Sequence, residues 1–139
     1  MPITWTERLS VGVPWIDEEH KELFVRINRL LEATGALRGR EEVRPVLGFL
    51  AGYVESHFGH EQRHMELLGY PEAAAHLREH AFFVAELQWL AAEVEANGPS
   101  TMVTVKLNRL LCGWLRDHTS SSDRRLGAFL KAAGQKRSA

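Results

Sequence analysis

The chain carries a single cysteine, Cys112, in 139 residues, so no disulfide can form within it. At this length none is needed, because a domain of such a size buries about two-thirds of its unfolded surface in an apolar core. Charge of one sign is also missing: 17 Lys and Arg stand against 18 Asp and Glu, a formal net charge of −1. No field of either sign draws the chain to nucleic acid or to an anionic membrane surface, and neither is expected as a partner. Long apolar runs are absent too. No stretch approaches the roughly 18 residues of a membrane span, and Thr6, Glu7 and Arg8 interrupt the N-terminus before the apolar segment of a signal peptide could form. The expected location is cytoplasmic, which a lone thiol also suits. Cys112 itself reads as a small core residue.

What remains is helical periodicity in a single domain spanning residues 1–139, free of repeats. Residues 1–15 read as an irregular arm, with Trp5, Leu9, Val11 and Val13 as its apolar side chains and Gly12 and Pro14 as breakers. Asp17 is a candidate N-cap, since its carboxylate can accept from free first-turn amides. His20, Leu23, Phe24, Ile27, Leu30 and Leu31 then recur at three- and four-residue spacing, one face of a helix; Gly35 and Gly39 close it. A second helix is predicted from about Glu41 to Leu68, with Pro45 near its first turn, where a missing amide costs little. Its inward face reads Val46, Leu50, Tyr53 or Val54, His57, Glu61, His64 and Leu68.

Gly69-Tyr70-Pro71 stops that helix and restarts the chain into a third, with His76, Leu77, His80, Phe83, Leu87, Leu90 and Val94 inward. Asn97-Gly98-Pro99 ends it, and Ser100 or Thr101 can cap a fourth helix that runs through Leu111, Trp114, Leu115 and His118 towards Leu130. A polar tail from about residue 134 to 139 is expected to be disordered. Four amphipathic helices on short turns predict an all-α, up-down-up-down four-helix bundle.

Each predicted helix turns at least one potential metal ligand inward. His57 and Glu61 are four residues apart, as are His76 and His80, and an i, i+4 pair projects from one helical face. His20 shares the phase of Leu23, Phe24 and Ile27, and His118 that of Leu111, Trp114 and Leu115. Asp123 is harder to place. Five residues after His118, a regular helix rotates it about 140° away, so a shared site requires a widened turn. The weak helix-forming run Ser120-Ser121-Ser122 could supply one. A lone inward histidine is more often packed core than ligand, but five in one small chain would each carry a burial penalty if unpaired. Five imidazoles and two carboxylates fit two metal ions bridged by Glu61 and Asp123, with three histidines on one ion and two on the other. A bridging hydroxide would then leave the second ion one open position. An N/O set without thiolate suits iron, manganese or zinc. His60, beside this seam, reads as solvated or as a hydrogen-bond partner of a ligand, and His64 as such a partner or as packing rather than as a ligand.

At this point the sequence resembles the bacterial hemerythrins. The stretches that carry the likeness are Trp5, Gly12-Val13, Ile16-Asp17-Glu18-Glu19-His20-Lys21-Glu22-Leu23, His57-Phe58-Gly59-His60-Glu61, Met65, Gly69-Tyr70-Pro71, His76 to His80, Phe83, and Trp114-Leu115-Arg116-Asp117-His118 ending in Asp123. They span nearly the whole chain. The resemblance implies two non-haem iron ions with a bridging oxo or hydroxo group, and reversible binding of molecular oxygen rather than enzymatic turnover. It gives His76, His80 and His118 to a six-coordinate iron, and His20 and His57 to a five-coordinate iron where oxygen lands. Phe58, Trp114, Leu115 and Thr119 are the expected oxygen pocket. Three positions depart from the family pattern: Gln62 replaces a second glutamate, Thr119 an aliphatic residue and His64 an apolar one. Gln62 is expected to point outward; the other two bear on the oxygen adduct. A di-iron oxidase or peroxidase, or a redox or nitric oxide sensor, would use the same ligands.

Overall fold

Among the described residues, 4–138, the computed structural model contains helices and no strand. The first arm of the bundle is α1 (Pro14–Gly35). The second is α2 (Gly39–Tyr53), a widened π turn (Val54–Phe58) and α3 (Gly59–Leu68), continuous over residues 39–68. The third is α4 (Ala73–Asn97). The fourth comprises α5 (Thr101–Arg109), a second π turn (Leu110–Leu115), α6 (Arg116–Ser120) and α7 (Ser122–Ser138), with a break at Ser121. Short connections make successive arms antiparallel neighbours, which is the expected bundle.

Local chemistry accounts for the ends. Gly69 adopts a left-handed conformation, φ 68°, that lets the Tyr70 amide reach back to the Met65 carbonyl at 3.0 Å. The Ser100 hydroxyl accepts from the Val103 amide at 3.2 Å, the predicted cap of the fourth arm. Three expectations are corrected. Helix α1 begins at Pro14, whose fixed φ suits a first helical position, so Asp17 is not its cap. Its carboxylate instead accepts from the Ser10 hydroxyl and, at 2.9 Å, from the Val11 amide, fastening the arm to α1. Helix α2 begins at Gly39, two residues before the expected start, which puts Pro45 in its second turn. The predicted disordered tail is helical as far as Ser138, because Lys131, Ala132, Ala133, Gln135, Lys136 and Arg137 are all good helix formers; Ala139 lies outside the described residues.

Two apolar clusters fill the bundle. The larger joins Leu23, Ile27 and Leu30 to Val46, Leu50, Phe58, Phe83, Leu87, Leu107, Leu111 and Leu115, among others. The smaller holds Val11, Ile16, Met65, Tyr70, Leu126 and Leu130. On each arm the candidate ligands fall at the level between them: His20 between Ile16 and Leu23, Glu61 between Phe58 and Met65, and Asp123 between Leu115 and Leu126. A polar layer is thus enclosed by apolar packing on both sides. The N-terminal arm closes the smaller cluster by lying against Gly127 of α7, where a Cβ would collide with the backbone carbonyl of Val11.

Gly127→Ala should therefore push the arm off α7 and lower stability by about 1–3 kcal/mol, the usual cost of overpacking. Gly48→Ala, at an exposed helical position where a Cβ meets nothing within 4 Å, should instead raise it by about 0.5–1 kcal/mol. Urea midpoints measure both, and matching midpoints for the two variants would contradict the docking of the arm.

Candidate metal centre

Seven side chains converge in the polar layer. Glu61, His76, His80, His118 and Asp123 each offer a ligand atom within 4.8 Å of the others, and so do His20, His57, Glu61 and Asp123. All seven are buried, Glu61 and Asp123 to 0% and 1% exposure. The two carboxylates belong to both sets, and their individual oxygens divide between them. Glu61 Oε1 lies 3.1 Å from His76 Nε2 and 3.0 Å from His80 Nε2, while Oε2 faces His57 Nε2 at 3.4 Å. Asp123 Oδ1 lies 3.2 Å from both His76 Nε2 and His118 Nε2, while Oδ2 faces His20 Nε2 at 3.0 Å. One oxygen of each carboxylate therefore points to the three-histidine set and the other to the two-histidine set. That is the arrangement of two bridging carboxylates.

The widened turn anticipated between His118 and Asp123 is present. Ser121 leaves helical geometry at φ −117° and ψ −75°, and α7 restarts at Ser122. The two π turns were not anticipated. One contains His57 and the other ends three residues before His118. Wide turns of this kind recur at functional sites because they rotate the following residues relative to a regular helix.

Donor chemistry fits cations. His20 Nε2, His80 Nε2, His118 Nε2, Glu61 Oε2 and Asp123 Oδ1 are buried without a hydrogen-bond partner in the protein. Each such atom costs about 1–3 kcal/mol if nothing takes its lone pair. Two full carboxylates side by side compound that cost, and cations held between them remove it. Both acids are held below the usual carboxylate range. Burial opposes this in both, and the Asp123 charge also opposes it at Glu61, but the surrounding histidines outweigh these effects. Burial likewise works against protonation of His57 and His76. The carboxylates of Glu19 and Glu61 beside the former, and of Asp123 and Glu61 beside the latter, nevertheless raise them to about 10 and about 9. His80 goes the other way, lowered chiefly by burial. Metal-free, the layer sets protonated His57 and His76 against the two carboxylates.

Around the ligands lie residues the sequence reading did not single out. Glu19 accepts from His57 Nδ1–H and from His60 Nδ1–H, both at 2.8 Å. Glu79 accepts from His118 Nδ1–H at 3.0 Å. A carboxylate on Nδ1 fixes the tautomer that presents Nε2 to a metal. The signal available was the repeated Glu-His dipeptide at 19–20 and 79–80: in each, the glutamate serves a ligand histidine of another arm. His60 thus binds a partner of the site, and His64 packs on Trp15 with ring centroids 4.7 Å apart while its Nδ1–H donates to the His60 carbonyl. Gln62 is exposed, as expected. Phe58 stacks flat on His80 at 3.7 Å and Trp114 on His118 at 4.7 Å, which puts both rings beside the three-histidine set. Tyr53 stacks on His57 at 5.0 Å. Leu115 and Thr119 are buried, and the Thr119 hydroxyl donates to the Arg116 carbonyl at 3.1 Å.

The pKa directions predict the pH behaviour of the metal-free protein. Folded-state values of His57 and His76 stand above the unfolded value near 6.5. Their contribution is complete below that pH and is lost as pH rises through about 9 to 10. Glu61 and Asp123 are depressed, so their contribution is present above their ordinary values of 4.5 and 3.8 and is lost as pH falls. Chelator-treated protein should be most stable at about pH 5 to 6.5, with a melting temperature that declines towards pH 10. A flat profile above pH 6.5 would contradict the network.

Comparison with known proteins agrees with the geometry. The profile of the family described as "Hemerythrin HHE cation binding domain" matches residues 11–130. A protein named bacteriohemerythrin from Methylococcus capsulatus is 34% identical over 136 residues, covering 94% of this chain and 98% of its own. Another of that name from Stenotrophomonas maltophilia is 28% identical, covering 94% of this chain and 82% of its own. A third, from Campylobacter jejuni, is 29% identical over 89% of this chain and 92% of its own. With a family profile running through every converging ligand and relatives matched over most of their length, the chain belongs to the hemerythrin HHE cation-binding domain family.

Proposed function

We propose that the chain binds molecular oxygen reversibly at two non-haem iron ions joined by an oxo or hydroxo bridge. The observation that carries the reading is the division of the carboxylate oxygens, which gives one position three histidines and the other two. His76, His80 and His118 would hold one iron and His20 and His57 the other, with Glu61 and Asp123 between them. The iron pair supplies the two electrons that oxygen binding requires. The two-histidine ion is one protein donor short, so an exogenous ligand belongs there.

The chain's own residues supply orientation and exclusion of water. Glu19 and Glu79 hold His57 and His118 in the ligating tautomer. Phe58, Trp114, Leu115 and Thr119 wall the layer. Leu115 also borders a mostly apolar cavity of about 280 Å³, where Leu9, Phe24, Ile27, Leu111 and Cys112 line the wall together with Thr4 and Arg116, a setting suited to an uncharged diatomic. No helix of the described residues is long and apolar enough to cross a membrane. Storage, delivery and sensing all follow from the same binding step. An oxidase or peroxidase would use the same ligands but would consume the bound oxygen.

Ferrous iron added without air, followed by oxygen and then by its removal, tests the proposal. The expected result is two irons per chain and a visible charge-transfer band that appears with oxygen and disappears with its removal. A band that decays at once to a stable diferric spectrum would support turnover or redox sensing instead. Fewer than two irons per chain would overturn the proposal. His118→Ala should bind one iron, and Glu61→Ala should lose the pair, both read by metal analysis.

A further inference from the structure

The break between α6 and α7 needs something to hold it. Five residues separate His118 from Asp123, and a regular helix would set them about 140° apart; here His118 Nε2 and Asp123 Oδ1 are 3.2 Å apart. Hydrogen bonds within the segment do not explain this. Ser121 N–H still donates to the Asp117 carbonyl and Arg125 N–H to that of Ser121. The hydroxyls of Thr119 and Ser120 donate to backbone carbonyls three residues back. All of these are local bonds that a regular helix would equally allow.

Glu79 is different, because it comes from another arm and touches both sides of the break. Directly before His80 in the chain, its carboxylate accepts from His118 Nδ1–H at 3.0 Å. The same carboxylate accepts the Ser122 hydroxyl, 2.7 Å from Oε1 and 2.6 Å from Oε2. Ser122 is buried and directly precedes Asp123. Glu79 therefore fixes the last ligand before the break and the first residue after it. Glu19 offers the contrast. Its two donors, His57 within the π turn and His60 just after it, lie on an arm whose helix is widened there but not broken.

We propose that Glu79 is a positioning residue for the metal pair: by accepting from His118 and Ser122 together, it holds the widened turn that points Asp123 inward. The inference rests on reading the cluster as a two-iron centre. Since Asp123 is shared by both metal positions, loss of Glu79 weakens both irons, although Glu79 itself approaches only one set of ligands.

The test is anaerobic titration of the full chain with ferrous iron in wild type, Glu79→Ala, Glu79→Gln, Ser122→Ala and the Glu79→Ala/Ser122→Ala double variant. Glu79→Ala should weaken binding of both irons by about 10–100-fold, the usual effect of removing such a partner. It should also shift the charge-transfer spectrum of the diferric form. Glu79→Gln, which keeps an acceptor of the same shape, should recover part of the affinity. Ser122→Ala should cost less than Glu79→Ala and add nothing in the double variant, because both act through one bond. Two irons bound at wild-type affinity and with a wild-type spectrum in Glu79→Ala, or additive losses in the double variant, would overturn the proposal. If Glu79→Ala does not fold, equal affinities for Glu79→Gln, Ser122→Ala and wild type would do the same. Wild type that fails to bind two irons would count against the metal reading itself, whatever the variants do.

Discussion

Two carboxylates buried side by side set the terms for the rest of this molecule. Glu61 and Asp123 are shielded from water, and like charges at close range in a medium of low dielectric repel strongly. Only positive charge on several sides makes such a pair tolerable. In the metal-free protein the imidazoles of His57 and His76, raised to about 10 and about 9, provide it; bound cations would do the same. The carboxylates come from the second and fourth arms and the histidines from all four, so the electrostatic requirement can be met only at one level, where every arm converges. Register along the bundle follows from that level. Sliding any arm by a turn would leave a buried acid facing hydrocarbon.

A polar layer of this kind contributes little to folding by itself, and the apolar clusters on either side make it sustainable. The larger draws on every arm, and the smaller uses the N-terminal arm to cover what the bundle leaves open beside α7. That division explains why the N-terminal residues are worth fastening. Asp17 gives up a capping role to hold Ser10 and Val11, and Gly127 lets the backbone of Val11 approach α7 closely. The arm seals one end of the layer, so its packing belongs to the site as much as to the fold.

Much of this was legible in the sequence because it depends on helical phase, which is local. The spacing of His57 with Glu61 and of His76 with His80, and the shared phase of His20 and His118 with the core, put six ligands on inward faces. The irregular turn before Asp123 also followed from phase, since no regular helix could bring it to His118. What was missed depends on contacts between arms. Glu19 and Glu79 look like outward charges on their own helices, and only the neighbouring arm turns them into partners for His57 and His118. The two π turns likewise leave no compositional mark; Val54–Phe58 and Leu110–Leu115 read as ordinary helix. At the termini the errors came from weighing capping and polarity over helix propensity, at Pro14 and in residues 134–138.

The surroundings of the two candidate metal positions bear on what a bound ligand would meet there. A carrier must leave its ligand intact, whereas an oxidase or peroxidase must deliver protons to it. Three hydroxyls near the ligands are committed elsewhere: Tyr53 donates to the Glu19 carbonyl at 3.1 Å, Thr119 to that of Arg116, and Ser122 to Glu79. Tyr53 is further discouraged from ionising by burial and by the acids nearby, which push its pKa well above the ordinary value. The faces turned to the ligating rings are aromatic or aliphatic: Tyr53 on His57, Phe58 on His80, Trp114 on His118. Thr119, the departure that could have brought a hydroxyl to bound oxygen, thus has its proton engaged by backbone. Polar side chains are numerous around this centre, and these three hydroxyls serve to hold its geometry.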